Sequence, residues 1–548
     1  MTEQPAAIFG IDLGTTYSCI ARMDDYGRPE AIPNLEGSRI TPSVVFFDSG
    51  DQVIVGQVAK NNAHLFPDQI VEIVKRQMGK SDWTFFYNGR DYTPEELSSY
   101  ILRKVVGDAE QYLGVTIKDV VITCPAYFGI NEREATAKAG EIAGLNVRSI
   151  INEPTAAAIS YGLHQDQDQM VLVYDLGGGT FDITMIEIKK GEINVIATGG
   201  DHFLGGRNWD EIVVNYLAEE WKTVTGSAEN PLDDPQTAQD LFLSAEEGKK
   251  ALTAREKTDI AVTHAGRREK ITLTREKFDE LTASLLDRTI EYTRQMLAEA
   301  AQKGFTHFDQ ILLVGGATRM PQVTNRLRQE LSMEPKIHEP DEAVAKGAAW
   351  FGQKLAIGDA IKIMIAGWGQ DTENADVQTV EKAQAAVAEL MGLSLQGVKR
   401  AAEMTIRNVT SHSFGVIALE TSSGSNIVSN IILKNTTVPA KSSQRFGTAE
   451  ADQETAEIQI MENSFMDKRA APEDSEKVGD AILNLPAGLP AGSPIEVTFE
   501  LDDQGRLHAE ARELTNNSQI VVDIQTTRII SEDKLKEAKV RSKQIAIS

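Results

Sequence analysis

Up to about residue 355, short apolar runs that end in glycine alternate with longer stretches of helical spacing; beyond about residue 404 the period drops to two. Two early runs fold back on themselves. Val171-Leu-Val-Tyr-Asp175-Leu-Gly177-Gly178-Gly179-Thr180-Phe-Asp182-Ile-Thr-Met-Ile is apolar, turns through three glycines and is apolar again, which predicts a buried β-hairpin. Ile8-Phe-Gly10-Ile-Asp12-Leu-Gly14-Thr15-Thr16-Tyr17-Ser-Cys19-Ile-Ala is a weaker copy about 160 residues earlier, so two related lobes should face one another. Strands are also expected at 40–47, 53–56, 120–124 and 310–314, and a hairpin at 260–274. Helical spacing marks 68–78, and Thr93-Pro-Glu-Glu96 opens a helix through a capping box with proline at its first position. Asn152 is the expected N-cap of the helix that starts at Glu153-Pro154, and 236–253 and 276–303 read as long amphipathic helices. Residues 376–403 are rich in Ala, Glu and Lys and read as helix broken by Gly392 and Gly397. Strict alternation at 494–501 and 506–512, with 427–433 and 520–524, predicts a small antiparallel β domain, and Ser531 should N-cap a last helix. The expected domains are 1–356, an interdomain segment 357–403, 404–530 and a terminal helix 531–548.

Glycines without Cβ atoms let the amides of a turn approach a ligand closely. A row of backbone N–H groups then suits a phosphate. Asp175, Thr180 and Asp182 frame one such turn, and Asp12, Gly14 and Thr15 frame the other. One turn alone would be explained by backbone geometry. Its repetition, with Asp and Thr at matching places, points to a triphosphate held between two lobes. Gly315-Gly316 is a third place where amides could meet a ligand.

A chain of 548 residues has material for several domains, and 41% apolar with 25% charged residues is a globular composition. The net charge of −26 argues against nucleic acid and anionic membrane as partners. Cys19 and Cys124 sit in apolar strands and read as small buried hydrophobes, not a disulfide framework. Met1-Thr-Glu-Gln-Pro has no basic or long apolar region, and no run approaches a membrane span, so a cytoplasmic location is expected.

The two hairpins, Asn152-Glu153-Pro154-Thr155-Ala-Ala-Ala and Gly315-Gly316-Ala317-Thr318-Arg319-Met320-Pro321 together resemble the bacterial-type seventy-kilodalton heat-shock (DnaK-type) chaperone family. The likeness is close over 6–355 and looser over 404–530. Sugar kinases and actin share such hairpins but lack the β domain with Lys434-Asn-Thr-Thr437-Val-Pro439 and Pro494-Ile-Glu-Val-Thr-Phe499. The resemblance implies an α/β actin-like (ribonuclease H-like) two-lobed ATPase domain and an all-β antiparallel sandwich. It implies ATP or ADP with Mg²⁺ as cofactor, with K⁺ as an additional candidate cation.

At the phosphate end the resemblance places Asp12, Gly14, Thr15, Thr16, Tyr17, Lys75, Glu153, Asp175, Gly177, Gly178, Gly179, Thr180, Asp182, Gly205 and Gly206. Lys75 would hold the attacking water and the γ-phosphate, Thr15 and Thr180 would offer hydroxyls, and Asp182 or Glu153 would orient water. Asp175 fits a base or a metal-shell residue. Asp12, Glu153, Asp175 and Asp182 would act on the metal mostly through water. Like charges about 4 Å apart cost about 1 kcal/mol per pair in water and about 4 at an effective dielectric near 20, so cations are needed beside a triphosphate. At the adenosine end the resemblance places Glu246, Lys249, Lys250, Gly315, Gly316, Ala317, Arg319 and Asp341, with Lys250 and Arg319 sandwiching the base. The family has Arg where Lys250 stands, and Lys is not planar; by themselves residues 246–250 read as a solvated helix face. The peptide groove maps to Val416, Leu419, Phe446, Ala449, Ala456 and Ile458, although each also reads as ordinary core. Pro125 and Arg133 match the family's proline-switch pair.

The expected activity is an ATP-hydrolysing chaperone that grips extended hydrophobic segments of unfolded polypeptide and loosens its grip with ATP. It would act as a monomer with a J-domain co-chaperone and a nucleotide-exchange factor, and with neither nucleic acid nor membrane. Several features depart from the family pattern. The apolar linker is not intact, its candidates being 361–365 and 404–407; Ser149 stands where the family places a J-domain-docking Arg, next to Arg148; and Arg207-Asn208-Trp209 replaces an acidic-acidic-aromatic triplet. About 17 residues follow Ser531, enough for one helix of about 25 Å and no helical lid. The alternatives are a holdase or exchange factor with little turnover, and a small-molecule kinase, against which the β domain argues.

Overall fold

The computed structural model describes residues 6–49, 52–162, 167–502, 504–515, 519–523 and 532–548. It is a mixed α/β protein in which one sheet plan occurs twice. In the first lobe, strand Ile8–Asp12 pairs antiparallel with Tyr17–Met23 on one side and parallel with Asp119–Cys124 on the other. In the second, Gln169–Leu176 pairs antiparallel with Phe181–Lys189 and parallel with Gln310–Val314. The central strands read as unbroken apolar runs because both faces of each sheet are covered. Helices Glu153–Gly162 and Ala343–Gly367 lie between the lobes. They meet where side chains are smallest: a Cβ on Gly347 would lie 1.8 Å from the carbonyl oxygen of Ala156, and one on Gly10 would lie 2.1 Å from the Ala349 nitrogen.

Several sequence expectations change in the folded chain. Residues 68–78 are not a helix: Ile70–Val71 is a short strand beside Val45–Ser49, and Val74–Gln77 is a single 3₁₀ turn. β-Branched Ile70 and Val71 gain a sheet partner there, which outweighs their helical spacing. Asn152 directly precedes helix Glu153–Gly162, as expected, but it also ends strand Asn146–Asn152, and its Oδ1 accepts from Arg133. Helix Ala343–Gly367 runs unbroken through the expected junction at 356/357. Gly392 terminates helix Val377–Met391 in a left-handed cap, but Gly397 sits in the first turn of Leu395–Glu403, which Ser394 caps. Of the two linker candidates, 361–365 is helical, whereas strand Thr405–Arg407 adds in parallel to the edge of the second sheet beside Glu192–Asp201. The position expected for the last N-cap, Ser531, lies outside the described residues.

Beyond residue 407, a five-stranded and a four-stranded sheet pack around one core. Pro494–Leu501 and Leu507–Glu513 alternate buried and exposed positions as their period demands. This sandwich rests on both lobes. On the second, Lys434 Nζ lies 3.0 Å from Glu299, Asn435 donates to Glu299 at 2.8 Å, and the Thr198 amide donates to Asn435 Oδ1 at 3.1 Å. On the first, Ser411 donates to the Phe128 carbonyl at 3.2 Å, and Ile130 is buried with the sandwich core. Helix Glu532–Gln544 returns to the first lobe, where Leu535 and Ala538 pack on Ile142 and Arg541 donates twice to buried Glu96 at 3.0 Å. Ala546–Ile547 then adds in parallel to strand Gln52–Val55. Among the described residues no helix is long and apolar enough to cross a membrane.

Carboxylates crowd the contact between the sandwich and the first lobe. A Cβ on Gly129 would lie 2.8 Å from a Glu462 oxygen and 3.0 Å from one of Glu132. Burial and then Glu476 push Glu132 up to about 7, and burial with Glu132 holds Glu462 well above its ordinary value. The other groups facing them are Arg133 and His412, whose Nδ1 is 3.2 Å from Glu462 while burial keeps its pKa down at about 3. The docked state therefore binds a proton that the separated domains release, so docking is favoured at low pH and is penalised as pH rises through about 7. We expect amide exchange at 130–135 and 460–463 to accelerate between about pH 6 and about pH 8, after correction for intrinsic exchange; a constant protection factor contradicts this.

Candidate functional site

The two glycine turns meet across the lobe boundary. A Cβ on Gly178 would sit 2.2 Å from the Thr16 hydroxyl, and one on Gly179 would sit 2.2 Å from the Thr15 side chain. The glycines thus set how closely the lobes can approach. Beside this contact lies a cleft of about 380 Å³. Its wall carries Asp12, Gly14, Thr15, Thr16, Lys75, Glu153, Asp175, Gly177, Gly178, Thr180 and Gly206 at one end, with Tyr17 reaching from there to Glu246. Glu246, Lys249, Lys250, Gly315, Gly316, Ala317, Arg319 and Asp341 line the other. Asp182 lies behind the turn, buried, and accepts the Tyr127 amide at 3.2 Å. Gly179 and Gly205 pack on one another there, since a Cβ on Gly205 would strike the Gly179 backbone at 2.6 Å.

Charge is concentrated at the end of the cleft nearer the two turns. Lys75, only 5% exposed, donates to Glu153 Oε1 at 2.5 Å. Burial pulls the lysine pKa down, but Glu153 and Asp12 more than offset this and leave it raised. Burial and then Glu153 push Asp12 and Asp182 up to about 7, and the same two causes hold Asp175 well above its ordinary value. Thr123 donates to Asp12 at 3.2 Å, which eases part of that cost. A single ammonium among four carboxylates leaves an excess of negative charge in a dry setting, which suits a cation. Among the described residues no set of three or more His, Cys, Asp or Glu is arranged to ligate a metal directly. Hard oxygen donors with this excess of negative charge fit a hydrated divalent cation such as Mg²⁺.

At the opposite end, Lys60 of the first lobe pairs with Glu246 of the second and donates to the Tyr17 hydroxyl at 2.9 Å. Lys250 adds a 3.0 Å ion pair to Glu246, whose pKa falls to about 2: burial raises it, and Lys60 and Lys250 more than reverse that. Lys249 is 2.7 Å from Asp210 and also donates to the Gly206 carbonyl, while Arg319 pairs with Asp341. Both cations expected to sandwich a base thus hold carboxylate partners at the rim.

Three residues here escaped sequence reasoning. Lys60 bridges the lobes, Glu72 of the first lobe accepts from Gln239 at 3.2 Å and lies 3.6 Å from Arg207, and Arg76 donates to the Gly179 carbonyl. No local signal marks them, because each one's partner in the second lobe lies more than a hundred residues away. Pro125 follows strand Asp119–Cys124, and Arg133 donates to the Phe128 carbonyl as well as to Asn152, beside the sandwich contact. In the sandwich, Val416 and Ala456 are buried, Phe446 and Ile458 are half-buried in the same cluster, and Leu419 and Ala449 are exposed.

Replacing Gly178 by Ala should force the turns apart. Overpacking of this kind costs about 1–3 kcal/mol, so affinity for Mg²⁺-ADP should fall by about tenfold to a hundredfold, with the protein still folded. Titration calorimetry measures it, and an unchanged affinity would show that the turns do not grip the nucleotide.

The Hsp70 protein family model matches residues 8–86, 81–364 and 372–547, so the chain belongs to the Hsp70 family.

Proposed function

We propose that this Hsp70-family protein hydrolyses ATP in the cleft between its lobes and uses the nucleotide to control how its sandwich domain grips extended hydrophobic segments of unfolded polypeptide. Members of the family are ATP-dependent chaperones that use Mg²⁺. The observation that carries the reading is the buried Lys75–Glu153 pair beside two glycine turns in van der Waals contact across a cleft. Phosphoryl transfer to water needs positioning and charge neutralisation more than covalent help. Lys75 is our candidate to hold the attacking water and the terminal phosphate, with Glu153 fixing its ammonium. Thr15 and Thr180 offer hydroxyls to the phosphates, Asp182 or Glu153 orients water, and Asp175 is a base or faces the metal. Asp12, Glu153, Asp175 and Asp182 would hold Mg²⁺ through water, which supplies the charge that makes four carboxylates beside a triphosphate tolerable. K⁺ remains our second candidate cation.

The domain reading is a nucleotide-binding unit up to about residue 356, a helical segment 357–403 and a sandwich from 404. Coupling between the units would run through strand 405–407, the Glu299–Lys434 contact and the Pro125–Arg133 region. Val416, Leu419, Phe446, Ala449, Ala456 and Ile458 are our candidates for the peptide groove. We place the protein in the cytoplasm, as a monomer working with unfolded clients, a J-domain co-chaperone and an exchange factor. Arg148 is engaged by Asp119 and Asp359, and Ser149 is buried, so J-domain docking at this face would need other residues.

A second reading, a holdase or exchange factor that binds ATP with little turnover, draws on the sandwich being fastened to both lobes, by strand 405–407 and by helix Glu532–Gln544. Single-turnover hydrolysis separates the two. Lys75→Ala should slow the chemical step by about a hundredfold to a thousandfold, and equal rates in the two proteins would favour the second reading. Coupling is tested by the release of a pre-loaded fluorescent hydrophobic peptide. ATP should accelerate it about tenfold or more, and identical rates with and without ATP would remove the coupling while leaving the ATPase.

A further inference from the structure

The three carbonyls of the Gly177–Gly179 turn are all engaged on one side. The Gly206 amide donates to Gly177 at 2.9 Å and the Arg207 amide donates to Gly178 at 2.8 Å. Both donors belong to the second lobe, like the turn itself. The third carbonyl, that of Gly179, is taken by Arg76 of the first lobe, through Nε at 2.9 Å and Nη2 at 2.6 Å. A trans peptide points the next residue's N–H opposite to its carbonyl. The only cis peptide among the described residues is Val438–Pro439, so pulling these three carbonyls one way aims the amides of Gly178, Gly179 and Thr180 the other way, as a concavity for an anion. Two of the three anchors lie within the second lobe. The third crosses from the first lobe to the second.

The surroundings of Arg76 fit that role. Its other acceptor is Asn208 Oδ1 at 2.9 Å, which also accepts the Gly205 amide at 3.0 Å, so one side-chain oxygen joins Arg76 to the loop that holds the other two carbonyls. Arg76 makes no ion pair among the described residues; of the carboxylates that act on it, Glu211 accepts from Asn208 and Asp201 accepts from Arg288. Its charge is thus not cancelled in an ion pair. Upstream, Ile73 holds a left-handed backbone with φ 50°, which a β-branched residue seldom adopts unless its surroundings impose it. Glu72 and Arg76 contact the other lobe on either side of Ile73, and Lys75 lies between Ile73 and Arg76.

We propose that Arg76 is a positioning residue that makes the phosphate-facing orientation of the Gly177–Thr180 turn conditional on lobe closure. It rests on the ATPase reading above only for its effect on turnover. The test compares wild type with Arg76→Ala and Arg76→Lys, and its first readout needs no nucleotide: hydrogen exchange at the amides of 177–180. Loss of the third anchor should raise exchange there about tenfold in Arg76→Ala, with melting temperature unchanged. Lysine, with one donor group in place of the fork, should give an intermediate value. Mg²⁺-ADP affinity should fall about tenfold in Arg76→Ala and less in Arg76→Lys. If Arg76→Ala does not fold, Arg76→Lys carries the test, with exchange raised about threefold. Unchanged exchange at 177–180 together with unchanged Mg²⁺-ADP affinity would overturn the proposal. A wild-type protein that fails to hydrolyse ATP yet shows the exchange change would remove the ATPase reading and leave the positioning role standing.

Discussion

Three carboxylates and one ammonium share the floor of the cleft, with a fourth carboxylate, Asp182, buried behind the turn, and the rest of the molecule is arranged around that imbalance. Asp12 and Asp175 arrive from equivalent strands of two equivalent lobes, so the duplication that builds the fold also doubles the negative charge at its centre. Lys75 offsets only part of it, bound as it is to Glu153. Bringing lobes together over such a floor is opposed by Coulomb repulsion and by desolvation. A cation with a phosphate chain reverses the sign of that term, which makes closure depend on what occupies the cleft. The contact of Gly178 and Gly179 with Thr16 and Thr15 then fixes how far closure can go.

The sandwich translates that geometry outward because it touches both lobes. Lys434 and Asn435 hold Glu299 of the second lobe, while Ser411 and Glu462 meet residues 128–132 of the first. A relative movement of the lobes must therefore strain or release one set of contacts. The buried Lys434–Glu299 pair is a poor source of net stability, since its attraction is offset by desolvation. It is a good source of specificity, because either partner left alone in the interface would be costly. Helix Glu532–Gln544 adds a second fastening, on the face of the first lobe formed by helices Pro94–Leu113 and Ile130–Ile142.

What was legible in the sequence was what local chemistry decides. Three glycines between apolar runs allow little but a tight turn, and Asp and Thr at matching places in the two hairpins marked the cleft. Thr93 and Pro94 marked a helix start that the folded chain uses. What was not legible depends on partners far along the chain. Residues 68–78 have helical spacing but gain a strand partner at 45–46, and Lys75, which alone would pass for solvated surface, is buried because Glu153 waits for it. Asn152 stands directly before its helix, but nothing local says that Arg133 claims its oxygen. Lys60 and Arg76 are ordinary cations in sequence and become lobe-bridging groups only when the second lobe supplies Glu246 and Gly179.

The most direct test of this balance of charge is nucleotide affinity with and without a divalent cation, measured by titration of the intact protein with ATP in Mg²⁺ and then in excess chelator. Affinity should fall by about a hundredfold or more when Mg²⁺ is removed, a difference of about 3 kcal/mol. Equal affinity in both conditions would mean that the carboxylate floor does not need a cation to accept a triphosphate, and the electrostatic account of closure would be wrong.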